Sequence, residues 1–240
     1  MLEILYENKN VVAVVKPHGV LSQSGADGKI EGNMLTAVSA YLGYEAGLLH
    51  RLDRPTGGIM VFSKNKNAEG HLSAALSDKG VCTKEYLAVV SGRPDIDEGE
   101  MRDLLFKDAK AGKSFVVSSP RKGAKEALLY YTVLGSAIGE QGELSLVRIK
   151  LGTGRTHQIR AQFSSRQMPI AGDGKYGSRE RIRGEFDNGV SPKDAIALYA
   201  FRLALDTREA KFDVLHLPCE KNYPFSLFSS LLNDVFGENG

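Results

Sequence analysis

The sequence predicts an α+β fold: a mixed, mostly antiparallel central sheet with helices and loops flanking it. Three observations carry that reading. Strand-like runs rich in Val, Leu, Tyr and Phe succeed one another across gaps of hairpin length. Helix-like stretches interrupt them only occasionally, unlike the regular alternation of a doubly wound parallel sheet. The 240 residues also contain no internal repeat, low-complexity stretch or clear linker. At roughly 150 residues per domain, the expectation is therefore a single domain over residues 1–240 that buries its own core.

Taken in order, LEILYE and VVAVVK are short strands broken at Asn8 and Asn10, after which KPHGVLS turns the chain away. NMLTAVSAYLG is helical: Asn33 caps it, Met34, Leu35, Val38 and Leu42 share a face, and Gly43 stops it. GGIMVFSK is an apolar run of strand length, and NAEGHLSAALSD after it is helical. CTKEYLAVVSG, SFVVSS, EALLYYTVLG and ELSLVRIKL read as strands bounded by glycine or charged turns. Between the first two, the polar and acidic GRPDIDEGEMRD reads as a boundary or as a long hairpin turn. RTHQIRAQFSSR is helix-like and leads into a loop rich in Gly and Arg. AIALYAFRLAL and KFDVLHL are strands, SLFSSLL is a short helix, and a polar tail follows.

Composition narrows the class. The two cysteines, Cys82 and Cys219, lie far apart and outside any Cys-x-x-Cys pair, which argues against a disulfide scaffold and a local zinc or redox motif and suits the cytoplasm. No apolar run approaches the roughly 20 residues of a membrane span, and MLEILYENKN is not signal-like, so no membrane partner is expected. Lys and Arg total 31 against 29 Asp and Glu, a balance that taken alone fits a small-molecule enzyme better than a nucleic-acid binder. The total conceals a local excess. From Lys150 to Arg183 there are eight basic residues against Asp173 and Glu180, which predicts salt-sensitive binding of a polyanion on one face.

The densest chemical cluster is LLHRLDRPTGGIMVFSK, with His50, Arg51, Asp53 and Arg54 within five positions, then Thr56 and two glycines. A charged run is usually a solvated loop. Here Leu48, Leu49 and Leu52 flank the charges, and Gly57 and Gly58 permit tight backbone geometry, so the loop is expected to dip inward. Asp53 would then sit among Arg51, Arg54 or another cation, available as nucleophile or base. In LGTGRTHQIRAQFSSR, Arg155 and Thr156 fall at a helix N-terminus where phosphate can bind. His157 and Arg160 share a face, and Ile159 and Phe163 point to the core. His157 has no His, Cys or carboxylate within four residues, so no local metal site is expected. GDGKYG matches G-x-G-x-x-G literally, but neither a strand before it nor a helix after it is predicted. Lys175 and Tyr176, with Arg179, Arg181 and Arg183, suit a phosphate backbone instead. Tyr86 lies beside Lys84 on a strand, where it is either core or a surface on which a base can stack.

Together these clusters resemble the RluA-type RNA pseudouridine synthases. HRLDRPTGG is similar to that family's His-Arg-Leu-Asp-x-x-Thr-Ser-Gly signature, LGTGRTHQIRAQ to its Gly-Arg-Thr-His-Gln-x-Arg motif, and PIAGDGKYG to the stretch that follows. KPHGV and KEYLAVVSG match two further blocks in order, so the resemblance runs from about Lys16 to Gly177. It implies the pseudouridine synthase fold with a catalytic cleft, and isomerisation of uridine in structured RNA, ribosomal or transfer, without cofactor or metal. Asp53 would be the catalytic aspartate, Arg160 its partner, and Tyr86 the ring stacked on the target base. Arg51 would fill the space left by the flipped uridine. His50, Arg54, Thr56, Arg155, His157, Lys175 and Tyr176 are expected around the substrate. Gly57 departs from the usual serine, which puts hydrogen bonding in that loop in question. With a family block already beginning near residue 11, no separate N-terminal RNA-binding domain is expected, and the protein is expected to act as a monomer without an obligate protein partner.

Two other classes compete. A silent RNA-binding protein would keep the basic loops but lose Asp53 or its arginine. A glycoside or nucleoside hydrolase would need two carboxylates flanking the scissile bond, and would release free uracil.

Overall fold

The computed structural model describes residues 2–24, 32–184 and 191–237. The chain begins with β1 (Ile4–Glu7) and β2 (Val11–Lys16), joined by a turn in which the Asn8 side chain accepts from the Asn10 and Val11 amides. Helix α1 (Met34–Leu42) follows; Asn33 accepts from the Thr36 amide and Gly43 closes the helix in the left-handed region, as the sequence predicts. Then come β3 (Gly47–Leu48), β4 (Gly57–Ser63), α2 (Glu69–Ala75) and β5 (Cys82–Ser91). The strands β6 (Glu98–Asp108), β7 (Lys113–Val117), β8 (Ala124–Gly139) and β9 (Gly142–Leu151) form an uninterrupted run. Last are α3 (Gln158–Ser165), β10 (Leu198–Asp206), β11 (Lys211–Leu215) and α4 (Ser229–Phe236).

All the strands join one sheet in the order β1-β2-β4-β10-β5-β9-β8-β6-β7, with β11 added to β10 and β3 to β4. Among the described residues every strand pairing is antiparallel except β4 with β10, so the fold is the expected mixed, mostly antiparallel α+β. That exception sits beside the site. A Cβ on Gly58 would lie 2.3 Å from the Ala200 carbonyl oxygen, and its φ is +115°. Only glycine lets β4 approach β10 there.

Alternation along β2 explains the core. Val11 and Ala13 join Ile59, Val61 and Leu72 on one face, while Val12 and Val14 join Met60, Phe62, Ile159 and Phe163 on the other. Strand β4 is covered on both faces and buried along its length, which is why GGIMVFS reads as one apolar run.

One segment differs from the expectation. The acidic GRPDIDEGEMRD is neither a boundary nor a hairpin turn: residues 98–103 belong to β6, which pairs with β7 and β8 and not with β5. Its outward positions carry Glu98, Glu100 and Arg102, which pairs with Glu126 on β8, while Asp103 meets Gln162 and Arg166. Burial on one face only makes the segment polar in sequence.

Candidate active site

Two loops and a helix meet at Asp53. The loop before β4 is pinned from beneath by apolar side chains, Leu49 and Leu52, each 7% exposed. It is also pinned by hydrogen bonds: Ser22 Oγ donates to the Leu52 carbonyl at 2.8 Å and accepts from its amide at 3.1 Å. Lys16, at the end of β2, is fully buried, and its Nζ donates to the carbonyls of Pro17, Val20 and Arg54 at 3.0, 2.6 and 3.1 Å. Burial pushes its pKa down to about 7, with the charge of Asp53 acting in the opposite direction. Three carbonyls surrounding one ammonium tie the KPHGV turn to the Asp53 loop.

The Asp53 backbone carbonyl accepts from the Thr56 amide at 3.0 Å, closing the turn and leaving the carboxylate half-buried. Its cation is neither Arg51 nor Arg54, both exposed, but Arg160 on α3, whose NH1 donates to Asp53 Oδ2 at 3.0 Å across 107 residues of sequence. Arg160 is itself held by a second carboxylate. Its Nε and NH2 donate to the two oxygens of Asp173 at 2.6 and 2.9 Å, a bidentate fork with Asp173 1% exposed. Burial works against the charge on Arg160, but the hydrogen bonds and charge of Asp173 and then Asp53 outweigh it and raise its proton affinity above that of an ordinary arginine.

His157 completes this cluster. It precedes α3 in the left-handed region, φ 53°, and makes no side-chain cap. Its Nε2 lies 3.8 Å from Asp53 Oδ2, and its Nδ1 lies 3.0 Å from the Tyr176 hydroxyl. Tyr176 is buried, 4% exposed, with its ring under the Arg160 guanidinium at 5.0 Å; burial pushes its hydroxyl up to about 12. Tyr176 therefore braces the site rather than facing an open cleft. Lys175 is turned away, its Nζ donating to the Gly112 carbonyl at 2.6 Å. Arg155 Nε donates to the Glu126 carbonyl at 2.9 Å, and its own amide is taken by the Gln158 side chain, so this helix start is not an open cradle of amides.

Tyr86, on β5, is 8% exposed and shares a pocket with His50, Ile59 and Lys84. Burial and then the charge of Asp53 raise its hydroxyl pKa, keeping it protonated. His50 braces the start of this region: its Nε2 accepts from the Val61 amide at 3.0 Å, and burial lowers its pKa well below the usual histidine value. Thr56 is buried, and its Oγ1 has no hydrogen-bond partner among the described residues. Arg54 Nε donates to the Gly19 carbonyl at 2.9 Å and an NH2 faces Asp194 at 3.4 Å. Arg51 makes no hydrogen bond or ion pair among the described residues. At Gly57, a Cβ would lie 2.6 Å from His18 Cε1 and 2.8 Å from Tyr199 Cε2. The space a serine side chain would need is filled by His18 of the KPHGV turn.

Lys16, Ser22 and Asp173 belong to the site without being among the residues its sequence motifs point to. Asp173 lies inside the G-x-G-x-x-G match, a pattern defined by its glycines. The basic segment also needs correction. Of its eight basic residues, Arg160, Arg166 and Arg183 are paired with Asp53 and Asp173, Asp103 and Glu140. A second basic segment runs from Lys107 to Lys125, with six basic residues against Asp108 alone. It forms the β6–β7 hairpin and the turn into β8, and it docks on the site. Lys113 Nζ donates to the Lys175 carbonyl at 2.7 Å, and the Ser114 Oγ to the Thr156 carbonyl at 2.7 Å. Exposed Lys107, Lys110, Lys122 and Lys125 make no ion pair among the described residues.

A carboxylate fixed by a buried arginine, a buried tyrosine within reach of its charge and a free basic edge form a constellation suited to work on the sugar of a polyanionic substrate. Comparisons with known proteins agree. The family model described as RNA pseudouridylate synthase matches residues 10–165. The chain is similar to the ribosomal large subunit pseudouridine synthase D of Borreliella burgdorferi, 31% identical over 220 residues, which is 88% of this chain and 63% of that protein. It is also similar to the ribosomal large subunit pseudouridine synthase C of Rickettsia felis, 32% identical over 177 residues, 74% of this chain and 56% of that one. The chain thus spans about three-fifths of the length of these curated relatives. In fold it resembles human RNA Pseudouridylate Synthase Domain Containing 1, with a TM-score of 0.72 at 23% identity over 91% of this chain and 84% of that one. On the match of its sequence over residues 10–165, this chain belongs to the RNA pseudouridylate synthase family.

Proposed function

We propose that this protein isomerises uridine to pseudouridine in RNA, with Asp53 as the group that acts at the sugar. The observation that carries the reading is the 3.0 Å contact between Asp53 and Arg160, which joins the two sequence motifs at one point. Breaking the bond from uracil N1 to C1′, turning the base and rejoining it through C5 conserves every atom, so no redox or group-transfer agent is required. The step needs a flipped nucleotide, a pocket that retains the detached base, and a carboxylate at C1′ or the 2′ proton. Asp53, half-buried, and Tyr86, buried close enough to feel its charge, suit those roles, and Arg51, exposed and unpartnered among the described residues, suits the space vacated in the RNA.

The ribosomal large subunit named for the relatives makes ribosomal RNA the preferred substrate class. A hydrolytic reading is disfavoured by the second carboxylate. Asp173 is buried behind Arg160 with both oxygens occupied, so it cannot flank a scissile bond. Purified protein incubated with ribosomal RNA should form pseudouridine and release no free uracil. Asp53→Asn should abolish isomerisation and leave RNA affinity within about twofold. Turnover retained by that variant, or uracil released by the wild type, contradicts the assignment.

A further inference from the structure

Joining uracil to ribose through C5 leaves that carbon carrying both its hydrogen and the new bond to C1′. The C5–H bond must then break. Its electron pair restores the C5=C6 double bond, and N1 gains a proton. The step needs a base beside C5, and the candidates are Asp53, released from the sugar once the new bond has formed, and the groups around it. We infer that His157 is that base, receiving the C5 proton on Nε2 and passing a proton on to N1 or solvent. The inference rests on the isomerase reading above.

Hydrogen bonds around Tyr176 orient the His157 ring. The Tyr176 hydroxyl accepts from the Ser114 amide at 2.9 Å and donates its single proton to the Ser114 carbonyl at 3.1 Å. His157 Nδ1 lies 3.0 Å from the same hydroxyl; with the hydroxyl proton donated to the Ser114 carbonyl, neutral His157 carries its own proton on Nδ1 and presents a bare Nε2 3.8 Å from Asp53 Oδ2. The charges that reach this imidazole are those of Asp53 and Asp173, which favour its protonation, and of Arg160 and the outward-turned Lys175, which oppose it. Burial is the largest influence and lowers its pKa, keeping the ring neutral and able to accept. After a proton arrives, the Asp53 carboxylate lies beside the imidazolium.

The other nearby groups are committed. Arg160 is a cation with Asp53 and Asp173 on its fork. Lys16 donates to three carbonyls. His50 Nε2 is taken by the Val61 amide, and burial keeps the Tyr86 hydroxyl protonated. The left-handed backbone at His157, φ 53°, also fits a residue placed for its side chain. Helix starts favour Ser, Thr, Asp or Asn in extended geometry, and non-glycine residues adopt this region at a cost.

The test is His157→Asn, since asparagine tolerates left-handed geometry and offers no basic nitrogen. Ribosomal RNA transcripts are prepared with uridine, with uridine deuterated at C5, and with 5-fluorouridine, whose C5 has no proton to give. For the variant, conversion of uridine should fall by about a hundredfold, and the slowing caused by C5 deuterium should increase. Single-turnover rearrangement of the fluorinated substrate should remain within about twofold of wild type. The wild-type rate should fall as acid protonates His157, and the variant should lack that limb. Equal slowing of both substrates would make His157 a structural or Asp53-positioning residue, and unchanged uridine turnover would remove it from the reaction; either overturns the inference. A wild type that forms no pseudouridine overturns the underlying reading instead.

Discussion

The arginines around α3 and the lysines of the β6–β7 hairpin are both dense runs of positive charge, and the structure uses them in opposite ways. Around α3 the charge is spent internally. Arg160 is 4% exposed and shared between two aspartates, while Arg166 and Arg183 face Asp103 and Glu140. On the hairpin, Lys107, Lys110, Lys122 and Lys125 are exposed without ion pairs among the described residues. A planar guanidinium with five donors can fix two carboxylates at once, so the buried position requires arginine. A flexible, hydrated ammonium suits phosphates whose positions vary along an RNA. Charge counted along a sequence therefore does not locate the field a substrate meets; partners do.

This contrast can be broken at either end. The largest effect should come from Arg160→Ala, which strands Asp173 in the interior. Loss of one partner of a buried pair costs about 3–5 kcal/mol, so the melting temperature should drop sharply and isomerisation should disappear. A variant as stable as wild type would show that the fork does not hold this region. Gly57→Ser should come next. Its Cβ would press on His18 and Tyr199 at 2.6 and 2.8 Å, and overpacking of this kind costs about 1–3 kcal/mol. Adding His18→Ala should recover most of that loss, and an additive double variant would refute the filled-space account. The smallest effect on stability should come from replacing Lys107, Lys110, Lys122 and Lys125 together by alanine. Denaturation should shift by no more than about 0.5 kcal/mol per site. RNA affinity should weaken, and the salt dependence of binding should become shallower by about 0.9 in log–log slope for each lysine that meets a phosphate. An unchanged slope would show that the hairpin does not touch RNA.

Local signals in the sequence were sufficient for most of the fold. Asn33 and Gly43 mark both ends of α1, and the apolar run of β4 marks a strand covered on both faces. Strand β6 was obscured because most of its charges point outward, with Arg102 pairing across the sheet with Glu126. At the site, Asp53, His157 and Arg160 stand in two dense motifs, and the pairing of Asp53 with Arg160 is what the family resemblance implies. Asp173 and Lys16 were not legible, because their roles depend on contacts that spacing does not encode. A lysine ending a strand looks like an exposed residue until three carbonyls are folded around it. Likewise, Gly57 appeared as the loss of a hydroxyl, whereas the structure shows its place taken by a histidine distant in sequence.

The central claim is that Asp53, held by Arg160, converts uridine to pseudouridine in RNA. It is tested most directly by mapping pseudouridine at nucleotide resolution in ribosomal RNA from cells lacking this protein and from the same cells supplied with wild type or Asp53→Asn. The account predicts that specific positions lose pseudouridine in its absence, regain it with wild type and remain uridine with the variant. Restoration by Asp53→Asn, or maps identical with and without the protein, would contradict it.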